Sequence, residues 1–335
     1  MKSILLASAS VVAFAGAASA AGHSSISWGG EATATYNSVT GLAASTELTA
    51  SASATLNNGI TASASVTLAH DNSGAAGTVE QGSITLSSSS ASLSIGTGLG
   101  EAAYVADAMT GQTEVAGIHT DAEAAEVTGS VTMSGFDIAV SMDDDGGNLQ
   151  LGVGTSLSGF DVAFGYANDT NAWGVNVGGS AAGVDVVANF ASGSSWGVKG
   201  STTVGGIDVY GIVADGNDWE VGATYAMAPF TVGFTYDSAS AYTISADYAA
   251  GAIEILTTYD GTDFDVEGSY DLGGGLVAYA GAFANAATYY VGAEYDLGNG
   301  ASVRGSYNSG AALDGTDSGA ADYGNGTEVS VTFTF

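Results

Sequence analysis

The sequence predicts an all-β fold, a membrane-spanning antiparallel up-and-down β-barrel, on three observations. Apolar and polar residues alternate with period two over most of the chain. Aromatic residues flank turns at a fixed phase, in units of about 23–24 residues. Charged residues make up only 11% of the 335, less than half the usual share. The 35 acidic residues against 3 basic ones exclude a nucleic-acid binder, because phosphate contacts need Lys and Arg to displace counterions. The absence of cysteine excludes a disulfide scaffold and thiol or Cys-zinc chemistry. With 16 Tyr, 11 Phe, 4 Trp and a positive mean hydropathy, the chain is predicted to be ordered despite its net charge of −32. A chain so acidic and yet so poor in charged residues is an odd one to face water on all sides.

Residues 1–20 read as a secretory signal peptide. Lys2 gives a positive start, Ile4 to Phe14 an apolar run too short to span a membrane, and Ala18-Ser19-Ala20 a small-residue cleavage site. Residues 21–335 are then the barrel, with Lys199 and Arg304 as its only basic residues. No later stretch approaches the length of an apolar spanning helix.

Strand by strand, the alternation is explicit. Ile60 to Leu68 places small or apolar residues on even positions and hydroxyls on odd ones, while Val127, Gly129, Val131 and Met133 share odd positions. A longer period is superposed. Gly135-Phe136-Asp137, Gly159-Phe160-Asp161, Gly183-Val184-Asp185 and Gly206-Ile207-Asp208 recur at spacings of 24, 24 and 23. Trp173, Trp196, Trp219, Tyr242, Phe264 and Tyr289 run in step with Tyr166, Phe190, Val213, Tyr236, Tyr259, Phe283 and Tyr307. Each unit is one hairpin.

Successive connections alternate between short Gly-rich turns, such as 134–135, 158–159 and 205–206, and longer Asp/Asn loops, such as 70–77, 143–148, 214–218 and 308–326. Tight turns at one end and polar loops at the other are the signature of an outer-membrane barrel, with aromatics forming a girdle at each interface. A secreted acidic β-repeat protein explains the alternation and the acidity equally well. It does not explain the aromatic phase, nor the last strand, where Val329, Val331, Phe333 and Phe335 share one face.

With these features the chain resembles the general porins of alphaproteobacteria. Gly82 to Gly96 looks like the strand, tight turn and strand that precede that family's constriction loop, and the terminal Phe335 strand looks like the segment read by the barrel insertion machinery. The resemblance implies a diffusion channel, commonly a homotrimer, set among outer-membrane lipid and lipopolysaccharide in a Gram-negative bacterium, with the third external loop folded toward the lumen. Sixteen strands are usual in that family. Here five strands precede the long segment 97–124 and 17 follow it, so the pattern predicts 22, an even number as single-chain barrels require. A sixteen-strand reading would carry Asp143-Asp144-Asp145 or Asn168-Asp169-Thr170-Asn171 through lipid. A 22-strand importer with an N-terminal plug is not expected, because only about five residues separate the signal peptide from the first strand at Ile26.

Strand parity assigns each charge a direction. Asp137, Asp161, Asp185, Asp208 and Glu254 oppose the apolar parity of their strands and are expected to ring the lumen mouth; Glu220, Asp247, Glu267, Glu294, Lys199 and Arg304 are expected to line its wall. Rings of carboxylates attract cations and repel anions. An Asp beside a Gly turn can equally serve only to cap that turn, and both readings stand at this point. The candidate constriction loop, Thr97 to Ala124, carries Glu101, Asp107, Glu114, Asp121 and Glu123. With only Lys199 and Arg304 to face them, the expected constriction is uniformly negative; the alternative is an external surface loop.

Asp143, Asp144 and Asp145 put hard oxygens close together and form a weak candidate site for Ca²⁺ or Mg²⁺, with a merely solvated acidic loop as the alternative. No other cofactor is expected. Nor is an enzyme, since His23, His70 and His119 lie in no recognisable catalytic setting. A structural or adhesive barrel would share the outer wall but is expected to block its lumen with large side chains.

Overall fold

The computed structural model describes residues 24–56, 59–71, 78–99, 102, 125–193, 195–284, 288–310 and 324–335. The signal-peptide segment therefore lies outside the described residues, as do Glu101, Asp107, Glu114, Asp121 and Glu123. The described chain forms a single 22-stranded antiparallel sheet, each strand paired with the next in sequence. Pairing of β1 (Ser24–Asn37) with both β2 (Gly41–Thr55) and β22 (Gly326–Thr334) closes the ring. Closure removes the sheet edges, so every strand finds backbone partners without water. The carbonyl and N–H of Phe335 also pair with Gly30, at 2.9 and 3.0 Å. The 22 strands agree with the hairpin count and exceed the sixteen usual in the resembled family.

Why the chain turns where it does is visible in the backbone. At Ser134-Gly135 the φ angles are +54° and +82°, and Ser158-Gly159, Ala182-Gly183 and Gly205-Gly206 repeat the pattern. Two consecutive residues in the left-handed region make a two-residue turn whose twist matches that of the flanking strands. Such a turn fixes register. In the hairpin of β6 (Ala125–Met133) and β7 (Phe136–Met142), Met133 faces Phe136 and Thr132 faces Asp137.

The outer face is apolar and uncovered. Ile84 is 61% and Met133 60% exposed, and Trp28, Leu86, Leu93, Phe136, Val232, Phe234, Val291 and Phe333 share that orientation. A wall of large apolar side chains presented outward all round belongs in lipid rather than water. No described helix is long and apolar enough to cross a membrane; the strands are the spanning elements. Aromatic pairs mark both rims. Trp173–Phe190, Trp219–Tyr236, Tyr242–Tyr259 and Tyr289–Tyr307 sit at the loop end with centroids 5.6, 5.4, 6.0 and 6.0 Å apart, and Phe230–Tyr248 at the tight-turn end at 5.1 Å.

Two boundaries differ from the sequence reading. Thr97 to Leu99 still belong to β5 (Ala91–Leu99), so the long segment starts later than expected. His70 lies within β3 (Thr61–Asp71), not in the loop beyond it. In both cases cross-strand pairing extends an element past the point where the alternation in sequence fades.

Candidate functional site

The lumen wall is built from the residues that oppose the lipid-facing parity. Over β1 to β6 these are almost all Ser and Thr, and their hydroxyls bond across neighbouring strands. Ser25 meets Ser53 at 3.0 Å, Thr49 meets Thr67 at 2.9 Å, Ser65 meets Ser83 at 3.0 Å, Thr85 meets Ser94 at 2.7 Å and Ser92 meets Ser130 at 2.7 Å. The ladder follows from register, since each partner is directly opposite in an antiparallel pair. It gives this arc a polar, mostly neutral surface.

From β7 onward carboxylates become regular, one near the start of each of four alternate strands. Asp137, Asp161, Asp185 and Asp208 stand on β7, β9 (Phe160–Ala167), β11 (Val184–Ala191) and β13 (Ile207–Ala214), each exposed and one residue into its strand. Each faces a hydroxyl across its tight turn: Thr132 donates to Asp137 at 2.6 Å, and Ser156, Ser180 and Thr203 donate to Asp161, Asp185 and Asp208. A two-residue turn always sets such a pair opposite one another, so the pattern Ser/Thr-x-x-Gly-apolar-Asp specifies the contact. Asp271 and Asp296 behave differently. Their Oδ1 atoms accept the backbone N–H of Gly273 and Gly298, both at 2.7 Å, which is turn capping. Glu254 is exposed in the same row but faces Ala249 across its tight turn, with Ser269 opposite on the other side.

Farther along the wall, Glu220 on β14 (Trp219–Met227), Asp247 on β16 (Tyr242–Ala250), Glu267 on β18 (Phe264–Gly273) and Glu294 on β20 (Thr288–Gly298) hold inward parity. Glu267 is only 6% exposed, whereas Glu220, Asp247 and Glu294 are half-buried. Arg304, on β21 (Ala301–Asn308), lies directly opposite Glu294 and forms a 2.9 Å ion pair with Glu328 of β22. Lys199, on β12 (Trp196–Val204), has its ammonium 5.2 Å from the centre of the Tyr210 ring. The predicted residues thus gather into a row at the tight-turn end and a broader band along the wall.

Several lumen residues escaped the sequence reading. Glu31 and Glu47 are inward and directly opposite one another; the Ala and Ser around them carry too little contrast to reveal a parity. Glu328 was hidden in the terminal strand by the attention its apolar face draws. Inward aromatics were missed as well. Tyr210 donates to Glu220 at 2.6 Å, and Tyr279 and Phe283 pack against Tyr290, which is 1% exposed. The inward wall therefore includes Tyr and Phe as well as Ser, Thr, Gly and Asp. Small residues beside these rings make room for them: a Cβ on Gly281 would fall 2.3 Å from the Tyr290 ring, and one on Gly222 would fall 2.2 Å from that of Tyr210. Ala102, 4% exposed, donates its backbone N–H to Oγ of the inward Ser141 at 2.8 Å, which places Ala102 inside the barrel.

On the external side, Asn148 donates to Asp143 and the Gly147 N–H to Asp145 at 2.8 Å. Among the described residues no three acidic or imidazole groups come together as a metal-holding set, at Asp143, Asp144 and Asp145 or elsewhere. Asp260 lies in the loop after β17 (Ile253–Tyr259), and the backbone N–H groups of Asp263 and Thr262 hold its carboxyl below the usual range.

A closed barrel that is apolar outside and lined with hydroxyls and carboxylates inside defines a membrane channel. The sequence matches the family Gram-negative porin over residues 7–316, and the chain belongs to that family. It is accordingly an outer-membrane protein of a Gram-negative bacterium. Similar solved structures include a mutant of the Rhodopseudomonas blastica porin with five substitutions and a triple mutant of the same porin. Each is 16% identical, with 93% of this chain and 100% of that chain covered and a TM-score of 0.35. No curated protein gives a significant match.

Proposed function

We propose that the barrel is a passive diffusion channel for small hydrophilic solutes and ions, and that lumen carboxylates make it prefer cations. One observation carries this reading. Asp137, Asp161, Asp185 and Asp208 are exposed on inward strand positions, and their side-chain partners are neutral hydroxyls, not cations or turn N–H groups. A carboxylate so held keeps its charge directed at the lumen. Because the four stand on alternate strands, neighbours are roughly 10 Å apart, about one Debye length at 0.1 M salt. Their fields therefore overlap into a continuous negative band. The five acids of the segment after β5 would add to it if they enter the lumen as Ala102 does.

The family resemblance implies a homotrimer, and the outer face offers an arc suited to the contact. Between Tyr36 and Tyr104 the sequence has no aromatic residue, so β2 to β5 carry no part of either girdle. Ala50, Ala52, Ala64 and Gly82 line a shallow depression there. Small residues let neighbouring walls approach closely in a membrane. The signal peptide and recognition of the Phe335 strand by the insertion machinery complete the proposed route to the outer membrane.

Liposome swelling tests the channel itself. Purified protein is expected to admit small sugars at rates that fall with solute size. No swelling with the smallest sugar would leave a structural or adhesive barrel as the better reading.

A further inference from the structure

Lys199 is the one basic residue on the described wall without an ion pair: among the described residues its contact is the ring of Tyr210. This is unexpected where acids are so abundant. The reason lies in the three strands β12, β13 and β14. Tyr210 stands between Lys199 and Glu220; its hydroxyl donates to Glu220 at 2.6 Å while its ring lies beneath the ammonium at 5.2 Å. The ring stays in place because Gly222, on the next strand, has no Cβ to displace it. The Glu220 carboxylate beyond the ring is thus engaged by Tyr210, and the ammonium rests on the ring face.

Below Lys199 the wall opens into a cavity whose lining includes Asp185, Asp208, Ser201 and Tyr210. Register fixes their arrangement. Ser201 lies between Asp185 on one side and Tyr210 on the other, and Asp208 is opposite Thr203. Lys199 is two residues from Ser201 and four from Thr203, so its backbone is offset along the strand by roughly 7 and 13 Å from the levels of Asp185 and Asp208. One end of the cavity is cationic, the other anionic, and a hydroxyl lies between.

We propose that this cavity is a binding station for small zwitterionic solutes whose opposite charges are several ångströms apart, of the size of a di- or tripeptide. The solute carboxylate meets the Lys199 ammonium, and its ammonium meets Asp185 and Asp208. A simple cation gains from only one end, an anion is repelled by the other, and a free amino acid reaches no farther than Asp185, the nearer carboxylate. The station deepens the channel reading by naming a solute class that the pore would retain in passing.

The test uses triglycine as the probe, with its N-acetylated and C-amidated forms as singly charged controls. Single-channel current recorded in planar bilayers is expected to show concentration-dependent blocking events with triglycine and not with either control. Lys199→Met is expected to weaken the block about tenfold, the loss of one charge-assisted contact, while cation preference rises because a positive charge is gone. Asp185→Asn with Asp208→Asn should weaken the block and lower cation preference. A block unchanged in Lys199→Met, or an equal block by the amidated peptide, would overturn the proposal. Saturation-transfer NMR of triglycine on the detergent-folded barrel reads the same binding without ion flow. An absence of conductance steps therefore counts against the channel alone, and an absence of Lys199-dependent transfer counts against the station alone.

Discussion

The guanidinium of Arg304 lies 2.9 Å from the carboxylate of Glu328 on the neighbouring strand, and the other Glu328 oxygen accepts the Asn37 amide at 3.3 Å. One of the three basic residues in the chain is thereby neutralised across the strands that close the ring. The lumen field is left to the carboxylates and to Lys199. Glu328→Gln is expected to lower barrel stability by about 2 kcal/mol, the loss of a charge-assisted contact at a part-buried site. Urea unfolding in lipid vesicles, followed by tryptophan fluorescence, reads this. The same variant removes a negative charge beside Arg304, so its cation preference should also fall.

The row of aspartates makes a quantitative expectation. A unit charge about 10 Å from a passing ion contributes ~0.4 kcal/mol in water, and screening over a Debye length of about 10 Å reduces this to ~0.15. Four such charges give about 0.6 kcal/mol, or roughly a threefold change in local cation concentration. Because anions are depleted by the same factor, replacing Asp137, Asp161, Asp185 and Asp208 together by Asn should lower the cation-to-anion permeability ratio by roughly the square of that factor, about eightfold, at 0.1 M salt. An unchanged ratio would assign these residues to the hairpins alone.

Ionic strength provides a separate check. At 1 M salt the Debye length is about 3 Å, shorter than the spacing between the aspartates. Cation preference measured by reversal potential should therefore shrink toward the ratio of bulk mobilities as salt is raised, in the wild type more than in the fourfold variant. A preference independent of salt would point to steric selection.

Much of this was legible in the sequence, for reasons that can be named. Gly-x-Asp recurring every 23–24 residues declared the hairpins, and strong apolar partners such as Phe136 and Ile138 fixed the inward direction of Asp137. Where contrast is weak, parity was silent: Glu31 and Glu47 sit among Ala, Thr and Ser and emerged only from register. Tyr210 and Tyr290 were concealed because aromatics elsewhere mark the lipid interface. Their inward placement depends on Gly222 and Gly281 one strand away, a relation between distant residues that no local pattern contains.

That relation can be tested directly. Gly222→Ala places a Cβ 2.2 Å from the Tyr210 ring, and the ring can move where the sheet backbone cannot. The variant should keep its barrel, seen as unchanged heat-modifiable migration on gels, while Tyr210 loses its bond to Glu220. Triglycine block should then weaken. A block of wild-type strength would show that the ring does not organise the site.

The external loop after β17 has its own pH signature. Asp260 accepts the N–H groups of Thr262 and Asp263 at 2.9 and 2.8 Å, and these donors hold its folded pKa below the unfolded value. A depressed carboxyl pKa stabilises above the unfolded pKa, and the contribution is lost as pH falls through the folded one. Amide-exchange protection at Thr262 and Asp263 should thus be high at neutral pH and fall in strong acid. Asp260→Ala should remove it at neutral pH and change little in acid.

The zero-current potential across a planar bilayer holding a tenfold gradient of potassium chloride tests the proposed function most directly. A negatively biased pore requires stepwise conductance and a potential of the sign that marks potassium as the more permeant ion. A potential of the opposite sign, with chloride more permeant, would contradict the assignment of the lumen carboxylates as the source of selectivity.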